Sequence, residues 1–565
     1  MAYFLKKNIK NGKTYLSIVN GFYDSAKKCA AHETYASYGC VEKIKESGIE
    51  DPISYYQKVV DELNEKRKNE KVQKISEVAP IKYLGHFLVN AILEKLKLRD
   101  IVKLLSLQCN YQFDLYDVLS SLIFSRILKP CSKYKTFTDV IPYLDTKYNF
   151  SYDQLLSGLA YFGENYNKLV EICTELVKVK YQVKTKHAYF DCTNFYFEID
   201  REDDFRKKGP SKENRRLPLL GMGLLLDSNQ VPIGMKLFPG NESEKPKIRE
   251  IINELKEKNE IKNKIIQVAD KGLNCARNIY EARVNGDGYI FSKSCKMLPD
   301  TERNWIFSDL DYKEIKDSEG NVLYKVKHCI DDYTYFFENE NKQKISFTLK
   351  EKRIVTFNPS LAKKQLFEIE KLEIKAKELC LSQAQKEEYG ECAKYVNFKG
   401  NDGSKATPVI NMDKINQDKK LCGYNMIVTS ELRMSAKEIY DTYYNLWRIE
   451  DTFRMMKSEL DARPAFMKKE ETLHGHFLVC YIAVLLVRLL QIYEFNDEIS
   501  YQGLFEFMRS FTVTKYGDKN INLARKTAVL EEIEKRTKLP LNHAILTETK
   551  TNKIMNFRFK NKNSH

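Results

Sequence analysis

The paired motifs of disulfide and zinc proteins are missing from this chain of 565 residues. Its thirteen cysteines stand singly, with no CxxC pair and no Cys/His spacing of a zinc site. That argues against a disulfide or zinc framework and for reduced, mostly buried thiols in a cytosolic protein. The N-terminus, MAYFLKKNIKNGKTYLSIV, lacks the uninterrupted apolar core and cleavage site of a signal peptide. The longest apolar run, FLVCYIAVLLV at 477–487, stops at Arg488. It falls short of the ~18 residues that a membrane-spanning helix needs, and is expected to be a buried helix. No internal repeat or low-complexity tract is present, and there are only two tryptophans, Trp305 and Trp447.

What is there suits a multidomain globular protein. The length points to roughly three or four domains of about 100–200 residues. Lys+Arg number 93 against Asp+Glu 78, a formal charge of +15, and basic residues gather in segments such as FRKKGPSKENRR at 205–216. This excess favours a polyanionic partner.

Asn11-Gly12 between alternating segments is a strong hairpin signal, and a charged helical stretch at 61–74 reads as a linker. Residues 1–78 are therefore taken as an N-terminal β-hairpin region with a helical linker, and 79–185 as a helical domain. From 186 the pattern changes. HAYFDCTNFYFEI is apolar or aromatic on both faces, as in the centre of a covered sheet. LPLLGMGLLLDS (217–228) and VPIGMKLFP (231–239) read as two more strands, followed by a helix, the strand IIQVAD (265–270), a helix and the strand GYIFSKS. The order β-β-β-α-β-α-β is that of an RNase H-like fold, an α/β class with a mixed sheet. Its first part spans 186–295 and its last part 426–490, around a β-rich insertion at 296–425. In the insertion WIFSDLDYKEI, NVLYKVKHCI, YTYFFENE and KRIVTF alternate like antiparallel strands. Residues 491–565 are expected to be a helical region with a basic tail.

Three carboxylates stand out by position. Asp191 lies in the middle of the first core strand, where an ionised group among aromatics is costly unless it meets a cation or donors. Asp270 ends a short buried strand, where sites form in such sheets. Glu450 lies in YYNLWRIEDTFRMMKSEL (443–460), on a helix expected to start near Ala436 after the capping pattern Ser435-Ala436-Lys437-Glu438 and to end before Pro464. At about 100° per residue, Tyr443, Glu450 and Lys457 share one face, with Trp447 and Arg454 flanking it. Ile439, Leu446, Ile449, Phe453, Met456 and Leu460 make an adjoining apolar stripe. Each residue alone has an ordinary reading: a strand-end Asp is commonly a turn or cap residue, a helical Glu is commonly solvated, and Trp447 fits a core edge. Their joint placement is what singles them out. His474 and His476 are not read as a metal pair, because i and i+2 do not share a helical face.

These residues resemble a family. The chain is similar to the DDE transposases of bacterial insertion sequences, in the branch with a β-rich insertion in its RNase H-like domain. That branch carries a Tyr-x2-Arg-x3-Glu-x6-Lys signature, which Tyr443, Glu450 and Lys457 match in spacing, while its Arg falls on Leu446. FDCTNFYF around Asp191, VADKGLN around Asp270 and PGNESE (239–244) add to the likeness, which spans about 186–490. The resemblance implies Mg²⁺-dependent DNA strand cleavage and strand transfer at terminal inverted repeats, with catalytic Asp191, Asp270 and Glu450 holding two Mg²⁺ ions, for which Mn²⁺ can substitute. It implies phosphate contacts from Lys457 and from Arg454 in place of Leu446, with Arg448 as the other candidate. Tyr443 and Trp447 would position the strand, and Trp447 would hold an unstacked base. Arg206, Lys207, Lys208, Arg215 and Arg216 would meet backbone phosphates. Double-stranded DNA at transposon ends and target is the expected partner, with a homodimer on DNA, no membrane, and a cytoplasmic, nucleoid-associated location in a bacterium. Two alternatives stay open: a nuclease of the same core that does not rejoin ends, and a domesticated DNA-binding or regulatory protein without activity.

Overall fold

The computed structural model describes residues 2–24, 29–71, 81–107, 109–181, 186–199, 201–210, 217–258, 264–296, 298–339, 341–382, 385–399, 405–463, 467–516 and 519–560. Residues 1–80 and 81–565 form two compact units.

In the first unit, β1 (Tyr3–Lys10), β2 (Lys13–Asp24) and β3 (Cys29–Cys40) make an antiparallel sheet in the order β1-β2-β3. Asn11 and Gly12 take φ of 51° and 72°, the left-handed backbone that a two-residue hairpin turn requires. Helices α1 (Val41–Glu46) and α2 (Pro52–Lys71) follow, and Asn64 of α2 bonds both the N–H and the C=O of Tyr3 at 2.8 and 2.9 Å.

The second unit begins with a short strand, β4 (Ile81–Tyr83), and a helical layer: α3 (Phe87–Leu96), α4 (Leu98–Ser106), α5 (Leu115–Leu128), α6 (Lys133–Asp139), α7 (Tyr152–Glu164) and α8 (Tyr166–Tyr181). Asp114 caps α5 and Ser151 closes a capping box with Gln154 on α7, each satisfying main-chain donors that a helix start leaves open.

The mixed sheet comes next. Strands β5 (His187–Tyr196), β6 (Leu219–Leu226) and β7 (Pro232–Pro239) meander antiparallel. Helix α9 (Lys247–Lys258) leads to β8 (Ile266–Ala269), and α10 (Ala276–Val284) leads to β9 (Gly288–Lys293). Strand β8 lies parallel to both β5 and β9. The resulting order β7-β6-β5-β8-β9 is an RNase H-like core.

The insertion extends this same sheet. After α11 (Asp300–Phe307), β10 (Lys313–Lys316), the 17-residue β11 (Val322–Glu338) and the 14-residue β12 (Lys344–Phe357) pair in sequence. Strand β12 then pairs with β15 (Tyr424–Thr429), and β15 with β9, giving nine strands in the order β10-β11-β12-β15-β9-β8-β5-β6-β7. Between β12 and β15 lie α12 (Pro359–Leu381), the pair β13 (Val396–Lys399) and β14 (Lys405–Ile410), and α13 (Met412–Lys420). One segment departs from its alternating pattern: Trp305, Ile306 and Phe307 are helical, in α11. Asp300 and Glu302 in its first turn favour the positive end of a helix.

A larger departure concerns the segment expected as one helix over 436–463. It folds as α14 (Ala436–Tyr444) and α15 (Trp447–Arg454), followed by a π-helical turn at Met455–Glu459. At the break, Leu446 N bonds Tyr443 O (2.9 Å), Arg448 N bonds Asn445 O (3.1 Å) and Ile449 N bonds Leu446 O (3.0 Å), the tighter i to i−3 pattern. Asn445, exposed at this break, is a poor helix-interior residue. The π turn admits one extra residue, so that the consecutive Met455 and Met456 are both fully buried. Ile439, Leu446, Ile449, Phe453, Met456 and Leu460 are all buried.

Helix α16 (Glu470–Leu489) forms the centre of the largest core. The apolar stretch continues past Arg488, which is itself fully buried and bonds Gln491 Oε1 (2.7 Å), Arg448 O (3.2 Å) and Thr452 Oγ1 (3.1 Å). The helix over Glu470–Glu494 is long and apolar enough to cross a membrane, and its most apolar stretch is 94% buried inside the protein. Beyond α17 (Tyr501–Ser510) the C-terminal region is not purely helical. Strands β16 (Thr512–Tyr516), β17 (Lys519–Asn522) and β18 (Ile545–Thr547) join β4 in a four-stranded sheet, with α19 (Glu548–Met555) against β17 and β18 and α18 (Ala528–Thr537) against α17. These strands are short and polar, as in KNIN, and carry little alternation for sequence reading to detect.

Candidate active site

Parallel pairing places the first two carboxylates. The last paired residues of β5 and β8 are Phe190 and Ala269, so Asp191 and Asp270 follow side by side, one residue farther along. On β9 the equivalent step after Phe291 is Ser292, whose hydroxyl donates to Asp270 Oδ1 at 3.1 Å. The parallel ladder thus ends here, at the carboxyl end of β8. Phe190 and Cys192 enter the core on one side of the sheet, while Tyr189 and Phe195 enter the core on the other. By strand alternation Asp191 shares the second side. Its Oδ1 accepts the N–H of Cys192 at 2.8 Å.

Helices α14 and α15 cover that second side, with Ile439, Ile449 and Phe453 in the same core as Tyr189 and Phe195, and α15 packs against β5. Glu450 is exposed on the helix margin. Tyr443 lies half-buried between the elements, and its hydroxyl reaches Asp270 Oδ1 at 3.4 Å. Burial, with Asp270 and Glu450 nearby as further negative charges, raises the Tyr443 phenol, which remains a donor at neutral pH. On the π turn Lys457 places its ammonium 5.6 Å from the centre of the Phe195 ring.

Arg454 has a side chain 62% exposed and pairs with Asp451 at 2.9 Å. Arg448 pairs with Asp497 and lies 4.6 Å over the Trp447 ring, which is 40% exposed. Lys207 exchanges main-chain bonds with Leu219 (3.1 and 2.8 Å), Lys208 is exposed, and its N–H bonds Glu202 Oε1 at 2.9 Å. Arg215 and Arg216 lie outside the described residues. Arg206 is not available as a surface contact: it is buried, ion-paired with Asp203 and bonded to Met467 O (2.9 Å) and Lys468 O (3.4 Å). His474 and His476 point to different partners, Glu470 (3.8 Å) and Ala462 O (3.0 Å).

Sequence reading missed Ser292 and the lysines near it. Lys271, Lys293, Lys296 and Lys364 line a cavity of about 450 Å³ that begins next to Asp270. The signal was present in GYIFSKS, whose Ser-Lys pair falls at the carboxyl end of a core strand.

The donors Asp191, Asp270 and Glu450 are all carboxylates, which suits a hard divalent cation in kind. Among the described residues, no three Asp, Glu, His or Cys side chains are grouped closely enough to hold a metal ion.

A mixed sheet of this order, with adjacent aspartates at its parallel strand ends and a covering helix, defines an RNase H-like core. Residues 183–486, more than half of the chain, match the transposase DDE domain, and the chain belongs to that family. Its members are enzymes that cleave and transfer DNA and generally use divalent metal ions. Comparison with curated proteins finds no match. Among solved structures, the piggyBac transposase synaptic complex with hairpin DNA aligns over 85% of this chain and 84% of that one, at 10% identity and a TM-score of 0.34, an overlap too loose to bear on the site.

Proposed function

We propose that this protein is the transposase of a bacterial insertion sequence, which binds double-stranded DNA at terminal inverted repeats, cuts it and joins the freed ends to a target. The observation that carries the reading is the pair Asp191 and Asp270, adjacent beyond the last parallel rung and covered by the helices of Tyr443 and Glu450. Asp191, Asp270 and Glu450 are the residues that would hold two Mg²⁺ ions. Held there, such ions would supply charge stabilisation at the phosphate being cut. Tyr443 and Ser292 orient the Asp270 carboxylate through their hydroxyls. Lys457, Arg454 and Trp447 meet the strand beside the cut, and Lys207, Lys208, Arg215 and Arg216 meet backbone phosphates farther away. The helical region at 79–185 and the insertion at 296–425 add duplex contacts, the protein acts as a dimer on DNA, and it works in the bacterial cytoplasm.

The test is nicking and gel-shift affinity for end DNA, measured side by side on Asp191→Asn, Asp270→Asn and Glu450→Gln. Each amide keeps shape and removes the charge a cation needs. Cleavage should vanish while affinity stays nearly unchanged, and substantial cleavage by any variant would sink the assignment. One observation favours a second reading, a protein that binds DNA without cutting it: Leu446, at the signature arginine position, is buried in the core, and Arg454 is paired with Asp451. That reading expects no cleavage by the unaltered protein.

A further inference from the structure

Beyond the π turn that ends the Glu450 helix lies a cavity of about 380 Å³ whose lining includes Arg126, Lys133, Lys468 and Lys469, with Asp461 as its one acidic residue among the described residues. Lys133 is only 8% exposed. Its Nζ donates to His476 Nδ1 at 3.1 Å, and His476 Nε2–H donates to Ala462 O at 3.0 Å. This is the neutral imidazole, held well below its usual range by burial and by the charges of Lys133 and Arg126. The partner of Lys133 therefore carries no negative charge. Arg126, also buried, bonds main-chain carbonyls of Leu460 (3.4 Å), Asp461 (3.5 Å) and Cys131 (3.1 Å). The Asp461 side, though on the lining, is exposed and meets Arg126 through its main-chain oxygen.

Other buried lysines are served differently. Lys327 donates to the carbonyls of Trp305 and Ser308, Lys352 to that of Met434, and Lys247 to the carboxylates of Glu242 and Glu250. Lys133 has no oxygen partner among the described residues. Lys133 is pushed well below the usual lysine range by burial and by the Arg126 guanidinium, so its charge waits on an anion that no carboxylate among the described residues supplies. This lysine is retained at the wall of an open cavity, with Lys468 and Lys469 also on the lining. That is the electrostatic pattern of a site completed by an anion.

We propose that this cavity seats a phosphate group, with Lys133 as its buried cation, and that during transposition the phosphate is one from the backbone of the bound DNA strand. The phosphate chemistry stands on the cavity alone, while DNA as its source rests on the transposase reading. Methionine in place of Lys133 keeps the stem and removes the charge, so Lys133→Met should melt no lower than the parent in chloride. Lys468→Ala/Lys469→Ala, at exposed positions, is a second variant with little risk to folding.

Two arms test the idea on the full chain. In the first, thermal melting is followed in inorganic phosphate against chloride at equal ionic strength. The parent should gain stability in phosphate, Lys133→Met should not, and the double lysine variant should gain less. Protection absent from the parent, or equal in all three proteins, overturns the proposal. In the second arm, binding of end duplex is measured across a salt series. Lys133→Met should bind about tenfold more weakly, and the slope of log K against log salt should fall by about 0.9, one phosphate contact. If phosphate protection depends on Lys133 but affinity and slope do not, the seat belongs to free phosphate and the DNA backbone is refuted as its source. If the parent binds no DNA at all, the transposase reading fails, and the first arm still decides the phosphate seat.

Discussion

Tyr443 and Asp270 are joined through a hydroxyl-to-carboxylate contact of 3.4 Å that ties the covering helix to the end of a core strand. Tyr443→Phe should leave the fold intact and slow single-turnover end cleavage by about 3–10-fold, the worth of one modest hydrogen bond. Because burial raises the phenol, Tyr443 should add no alkaline limb to the pH–rate profile below pH 10. Unchanged cleavage by the phenylalanine variant would remove Tyr443 from the positioning of Asp270.

The two arginines of the Glu450 helix should behave differently. Within α15, Arg454 lies about 40° from Glu450 and Arg448 about 160° away. Arg448 is tied to Asp497. Arg454→Ala should reduce end cleavage at saturating protein by about tenfold or more, while Arg448→Ala should mainly lower the melting temperature. The reverse ranking would show that the wrong arginine has been placed at the phosphate.

Helices α7 and α16 cross at two glycines. A Cβ on Gly475 would come within 2.1 Å of Leu159 O, and one on Gly163 within 1.6 Å of Glu471 O. These are main-chain atoms, so the helices must separate to admit a methyl group. Gly475→Ala should cost about 2 kcal/mol or more in chemical denaturation. A cost below about 0.5 kcal/mol would mean that the crossing is softer than its geometry.

Acid should destabilise the fold through histidines before carboxylates titrate. Burial pushes His86 down to about 3, and His476 is held well below the usual histidine range. Both are neutral when folded, whereas unfolding frees them to take a proton below about pH 6.5. Their contribution is present above that pH and is lost as pH falls, by about 1.4 kcal/mol per histidine per unit. Neither nitrogen of His86 has a hydrogen-bond partner among the described residues, so His86→Leu should flatten the decline between pH 6.5 and 5 without loss at pH 8. Denaturation midpoints across this range check it, and an unaltered slope would contradict the assignment.

The core sheet was legible because its strands are buried on both faces and read as continuous apolar runs, from Leu219–Leu226 to Ile266–Ala269. Asp191 and Asp270 stood out against those runs for the same reason. The break at Asn445 and the π turn at Met455 could not be read, since a fixed period of 100° assumes a uniform helix. Their over- and underwinding alters the phase between Tyr443, Glu450 and Lys457, which therefore follows from main-chain bonding and not from spacing. Ser292 was invisible for another reason: it meets Asp270 through strand pairing across 22 positions of sequence. Nor did alternation in the insertion reveal that β12 would join β15, because local pattern carries no information on which strands become neighbours.

That last pairing ties the insertion to the segment that carries Tyr443 and Glu450. Strand β12 is bonded to β15 only from Lys352 to Phe357, while β11 and β12 continue together from Asp331 and Glu351 out to Glu338 and Lys344. At about 3.3 Å per residue this part of the hairpin reaches roughly 25 Å beyond β15, with Phe337 and Phe347 packed on Tyr280 of α10. Its root is β15, the strand that runs directly into the helices of Tyr443 and Glu450. The insertion is thereby continuous, through one ladder of main-chain bonds, with the strand that precedes Tyr443 and Glu450.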